Sequence, residues 1–121
     1  VAIIYHITTA QRWLNTKGQN QPYEAESFGV EGFIHCSNAD QVVRVANRLF
    51  RNTPSLILLH IQTERLHPRL VYENLEGGKE LFPHVYGPIN LDAVVRISQF
   101  EPGLDGSFDQ YEGSLESVDG S

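Results

Sequence analysis

The stretch Gly32-Phe33-Ile34-His35-Cys36-Ser37-Asn38-Ala39-Asp40-Gln41 constrains this chain most, because a short apolar run ends on a histidine and gives way at once to a helix pattern. Phe33, Ile34 and Cys36 suit a buried strand, and Ser37 with Asp40 three residues on predicts a helix start. Side chains alternate along a strand, so His35 and Ser37 share one face while Ile34 and Cys36 take the other. A histidine is then presented beside the unpaired N–H groups of a helix N-terminus, where partial positive charge favours a phosphate or another anion. The same arrangement opens the chain: in Ile4-Tyr5-His6-Ile7-Thr8-Thr9-Ala10-Gln11, His6 and Thr8 share a face and Gln11 completes the cap. A third stretch, Glu80-Leu81-Phe82-Pro83-His84-Val85-Tyr86-Gly87-Pro88, adds a carboxylate, a histidine and a tyrosine between prolines.

A strand is predicted over Ala2 to Ile7, a short helix over Thr9 to Asn15 closed by Gly18, and a helix from Ala39 to about Asn52 with Val42, Val45, Ala46, Leu49 and Phe50 on its apolar face. Tyr23 to Phe28 is ambiguous between an irregular strand and a single turn. Leu56 to Ile61 is apolar except for His60, which suits a strand covered on both faces. Leu70 to Glu73 and Val94 to Phe100 supply further strands. Five or six strands and two early helices do not repeat as βαβ units, so the class is α+β with a mixed or antiparallel sheet. At 121 residues one domain is expected, over residues 1–100, followed by an acidic Gly/Ser-rich tail over 101–121 that is mobile or loosely docked.

The net charge of −6 is confined to that tail, because the nine basic residues are matched by nine acidic ones before Glu101. A neutral folded part argues against broad nucleic-acid or membrane binding and leaves room for a local basic site, to which Arg44, Arg48 and Arg51 offer a helical stripe. No apolar run approaches the ~20 residues that cross a bilayer and no signal-peptide pattern opens the chain, so a cytoplasmic location is the default expectation. The single cysteine, Cys36, excludes an internal disulfide and a multi-cysteine zinc site.

The strings Ile4-Tyr5-His6-Ile7-Thr8, Glu31 to Ser37, Val45-Ala46-Asn47-Arg48, Leu56 to Ile61 and Glu80 to Pro88 together resemble the DUF952 family of small bacterial and plant proteins. That family has been grouped with the ADP-ribosyltransferase superfold. The resemblance implies a split, strongly curved sheet with two helices packed on it and an NAD-binding cleft between its halves. It also implies one catalytic residue on each of three strands. His6 is similar to a first-strand histidine that holds the nicotinamide ribose, and His35 falls at the second position. Glu80 is the choice for the third, with His84 as runner-up. Histidine at the second position, where tyrosine is usual, resembles the RNA 2′-phosphotransferase branch, although that branch's arginines are not obvious here. On this reading NAD is a substrate, Glu80 stabilises charge on the ribose, Tyr86 and His35 wall the nicotinamide, and Thr8, Ser37 and Arg48 contact phosphate.

The alternatives are a non-catalytic module that binds a nucleotide or phosphorylated metabolite, and a His/Glu metal site. No His-x-His or His-x-x-x-His pair enforces the latter, so no metal is expected. His60, inside an apolar strand, reads as a hydrogen-bonded core residue, and His67, before Pro68, as exposed.

Overall fold

The computed structural model describes residues 2–115. The order of elements is β1 (Ile3–Thr9), α1 (Ala10–Gln19), α2 (Phe28–Glu31), β2 (Ile34–His35), α3 (Val42–Leu49), β3 (Leu56–Gln62), β4 (Arg69–Glu73), β5 (Phe82–Tyr86) and β6 (Val94–Gln99). The class is α+β, with two antiparallel three-stranded sheets in the orders β1-β3-β6 and β2-β5-β4. Among the described residues a single antiparallel bridge joins them: Tyr5 N–H donates to the Ser37 carbonyl and Ser37 N–H to the Tyr5 carbonyl, both at 2.8 Å. Read across that bridge, the strands run β4-β5-β2-β1-β3-β6. The junction is brief because β2 is only two residues long and the chain turns away at Asn38, whose N–H donates to Gln41 Oε1 at 2.9 Å. Beyond it no further ladder pairs the two half-sheets among the described residues.

The period of two in β1 and β3 sends side chains to two separate cores. Ile4, Ile57, Leu59 and Ile61 meet Trp13 of α1, Tyr23, and Ile34 and Val85 of the second sheet. On the opposite face Tyr5, Leu56 and Leu58 meet Val42, Val43 and Ala46 of α3, with Phe100 and Phe108. Burial on both faces explains why β3 reads as one apolar run. Its one histidine is a core residue: His60 Nε2 lies 2.8 Å from Ser98 Oγ and the ring stands edge-on to Tyr5.

Several boundaries differ from the sequence reading. Helix α1 runs through Gly18 to Gln19 and ends on Asn20 in the left-handed conformation, where the Asn20 N–H bonds back to Lys17. A third helix, α2, lies at the end of the ambiguous stretch, while Tyr23 forms a lone bridge with Ile89. Residues 82–86, with Pro83 inside, form strand β5, to which the sequence reading assigned no element.

The expectation of a mobile or loosely docked tail is corrected for residues 101–115. Phe108 is fully buried and stacks on Phe100 at 4.7 Å, with Tyr111 against the same ring. Asn47 of α3 fastens the segment, accepting the Phe108 N–H at 2.7 Å and donating to Asp109 at 2.8 Å. Two aromatic side chains outweigh the polar composition around them, because each buries far more apolar area than its neighbours. The rest of the tail lies outside the described residues. No helix among the described residues is long and apolar enough to cross a membrane.

Candidate functional site

A cleft of about 1270 Å³ opens where the half-sheets part, lined among others by His6, Thr8, Tyr23, Phe33, His35, Glu73 and His84. His6 projects from the middle of β1 into its floor, and both ring nitrogens are engaged. Nδ1 lies 2.6 Å from the His35 carbonyl and Nε2 lies 2.8 Å from Tyr23 Oη. Tyr23 Oη is also 2.8 Å from Thr8 Oγ1. Burial lowers the His6 pKa to about 4 and raises that of Tyr23 to about 12, so both are neutral near pH 7. A carbonyl only accepts, so the His6 proton sits on Nδ1 and Nε2 accepts the Tyr23 hydroxyl. His6 therefore sets the positions of His35 and Tyr23 and has no free nitrogen with which to hold a ribose.

The short helix α2 ends on Gly32 at φ +81°, and this left-handed turn brings Glu31 back beside the strand that follows. Glu31 Oε2 lies 2.9 Å from His35 Nε2, and that hydrogen bond holds the Glu31 carboxyl below the usual range. His35 is half exposed at the cleft. Directly opposite it in the β2–β5 ladder is His84, and the two rings approach to 5.2 Å at near right angles. Phe33 stacks on His84 at 4.3 Å and stands edge-on to His35 at 4.8 Å.

Behind His84, the neighbouring strand β4 supplies Glu73. Its Oε2 accepts the His84 Nδ1–H at 2.9 Å and also the Tyr86 hydroxyl. These two hydrogen bonds, that from Tyr86 being the larger effect, keep the Glu73 carboxyl below its ordinary value, and Glu73 in turn raises the Tyr86 pKa. Two imidazoles, each with its own carboxylate, thus face each other across β2 and β5.

Glu80 is not part of this group. It accepts two hydrogen bonds from Arg44, at 3.0 and 2.6 Å, and one from Gln41 at 3.2 Å, which draw it onto α3 and away from the residues that line the cleft. The arginine-rich stripe is divided accordingly. Arg44 serves Glu80, Arg51 donates to the Asp105 carbonyl at 3.1 Å, and Arg48 lines the cleft together with Arg12.

The two expected helix-terminus cradles are also corrected. The cap of α1 is Thr9, which accepts the Arg12 N–H at 3.1 Å, while Gln11 bonds to Asn15. Helix α3 begins only at Val42, after a turn in which the Asn38 carbonyl takes the N–H groups of Gln41 and Val42. Ser37 is thus a bridging strand residue with no helix starting on it. Cys36 is buried with its thiol pKa raised by desolvation, turned to the opposite face from His35.

Of the residues expected at the site, His6, Thr8, His35, Ser37, Arg48 and His84 line this cleft, while Tyr86, bonded to Glu73, is not among the lining residues. It missed Tyr23, Phe33, Glu31 and Glu73 as members. The alternations Phe33-x-His35 and His84-x-Tyr86 were available signals once both segments are read as strands. Nothing local marks Tyr23 or Glu73, which arrive through long-range pairing.

A family model described as "Protein of unknown function (DUF952)" matches residues 7–97. Among solved structures, the crystal structure of protein CC0527 from Caulobacter crescentus is 32% identical, with 87% of this chain and 91% of that chain covered and a TM-score of 0.77. The solution NMR structure of CC0527 gives 29% identity, 93% and 96% coverage and a TM-score of 0.79. No curated protein matches. With the family match spanning both half-sheets and the cleft between them, the chain belongs to the DUF952 family.

Proposed function

We propose that the cleft binds NAD or ADP-ribose and that the protein acts on the bond between nicotinamide and ribose, releasing nicotinamide or transferring ADP-ribose. The observation that carries this reading is the convergence of residues from three strands, His6 on β1, His35 on β2 and His84 on β5, at one cleft between two half-sheets. This is the arrangement that the resemblance to the ADP-ribosyltransferase superfold implies. The cleft exceeds the ~300–1,000 Å³ of ordinary small-molecule pockets, which suits an extended dinucleotide. The half-exposed His35 ring offers an aromatic face for the nicotinamide, and Arg12 and Arg48 offer charge for the pyrophosphate. Glu80 has no part in this reading; the carboxylates at the cleft are Glu31 on His35 and Glu73 on His84.

The test is a calorimetric titration with NAD, ADP-ribose and a 2′-phosphorylated nucleotide, on the wild type and on His35→Ala, a half-exposed position whose loss leaves the core intact. Binding weakened about tenfold or more in the variant is expected. If none of the ligands binds the wild type, the nucleotide reading falls; undiminished affinity in the variant moves the site elsewhere.

A second reading, a module that binds such a ligand without chemistry, is favoured by His6: neutral, buried and doubly hydrogen-bonded, it acts as scaffold. Ligand binding with no release of nicotinamide would select it. Among the described residues no three His, Cys, Asp or Glu side chains are grouped to hold a metal ion, so we do not propose a metal centre.

A further inference from the structure

The two imidazoles of the cleft are not equivalent. His35 pairs Nε2 with Glu31 and has no hydrogen-bond partner on Nδ1 among the described residues, on a half-exposed side chain, so what sets His84 apart is how firmly its ring is held. His84 is 4% exposed, and its carboxylate partner sits on the other nitrogen, Nδ1. Among the described residues Nε2 has no hydrogen-bond partner, yet no buried side-chain nitrogen or oxygen among them is left unpaired. Nε2 is therefore not sealed off completely, and His84 forms part of the cleft wall. The ring cannot rotate away: Phe33 stacks on one face, and Glu73, itself held by Tyr86, fixes Nδ1–H. With the proton on Nδ1, Nε2 is the basic nitrogen.

We propose that His84 is the general base of this site and that the acceptor it serves is a hydroxyl group, water or an alcohol, with Glu73 as the residue that positions it. This rests on the nucleotide reading above. In the step, the bond between ribose C1′ and the nicotinamide nitrogen breaks and its electron pair returns to the ring, neutralising the pyridinium charge. The acceptor oxygen bonds to C1′ and its proton passes to His84 Nε2. The imidazolium so formed faces the Glu73 carboxylate, which balances the charge. A hydroxyl is the acceptor that needs such a base, because its oxygen becomes a competent nucleophile only as the proton leaves.

The experiment incubates the protein with NAD in buffered water with and without methanol and follows nicotinamide, ADP-ribose and methyl ADP-riboside by mass spectrometry. Both ADP-ribosyl products are expected. His84→Asn should lower turnover about a hundredfold or more while retaining ADP-ribose binding, and added imidazole should restore part of the activity of His84→Ala. Glu73→Gln should lower kcat about tenfold with KM unchanged. Turnover in His84→Asn within about twofold of wild type overturns the proposal, as does NAD that binds without releasing nicotinamide.

If NAD and ADP-ribose do not bind, it is the nucleotide reading that fails, and the base is tested separately with diethyl pyrocarbonate, which acylates unprotonated, accessible imidazole nitrogen. Modification of His84 at a rate approaching that of exposed His67, with His6 spared, supports a free basic nitrogen in the cleft. An unreactive His84 overturns it.

Discussion

His6 illustrates how one buried polar side chain can organise a site without exposing a reactive atom. Its ring ties the backbone of β2 to the Tyr23 hydroxyl, and desolvation holds it neutral by lowering its pKa from 6.5 to about 4. His60 is lowered to about 4 by the same cause, with the charge of Arg96 adding to it. A base whose folded pKa lies below its unfolded value stabilises the fold fully above the unfolded value, and that stability is lost as pH falls toward the folded one. Thermal melts should therefore show Tm dropping between about pH 6.5 and 4, before most carboxylates titrate, and His60→Asn should flatten part of the drop. Tyr23→Phe leaves His6 Nε2 and Thr8 without their shared partner in the core. A loss of about 1–3 kcal/mol, read from denaturant midpoints at constant slope, is expected. A chain read one residue at a time gives no hint of this, since Tyr23 stands between Pro22 and Glu24 with no periodicity around it.

At the level of elements, what was legible in the sequence was what depends on neighbours along the chain. The apolar run of β3, the alternation that puts His6 with Thr8 and the amphipathic face of α3 all follow from local spacing. What was not legible depends on partners far away. Glu80 was the expected site carboxylate from the resemblance and from the stretch it shares with His84 and Tyr86, but Arg44, 36 residues distant, takes it. Glu73 is the last residue of a predicted strand with nothing local to mark it, and only the β4–β5 ladder brings it to His84. The exchange is testable: Glu80→Gln should leave ADP-ribose affinity unchanged, measured by the same titration, because it lies outside the cleft lining. The missed start of α3 has a similar origin. Ser37 satisfied a capping pattern on paper, but its N–H and C=O were already committed to the bridge with Tyr5. A residue fixed on both backbone sides in a sheet does not open a helix.

For the molecule as a whole, the segment after β6 belongs to the fold. Phe108 completes the core between α3 and the first sheet, so Phe108→Ala should cost about 3–5 kcal/mol in equilibrium unfolding. Gly106→Ala should also destabilise, since Gly106 sits at φ +83° and a Cβ there collides with the Asn52 amide. The same architecture has a further consequence. Among the described residues two backbone hydrogen bonds link the halves at the bridge between Tyr5 and Ser37, so these two amides report on whether the half-sheets stay in register. Hydrogen–deuterium exchange should find them protected as a pair, and a molecule lodged between the walls should slow both together.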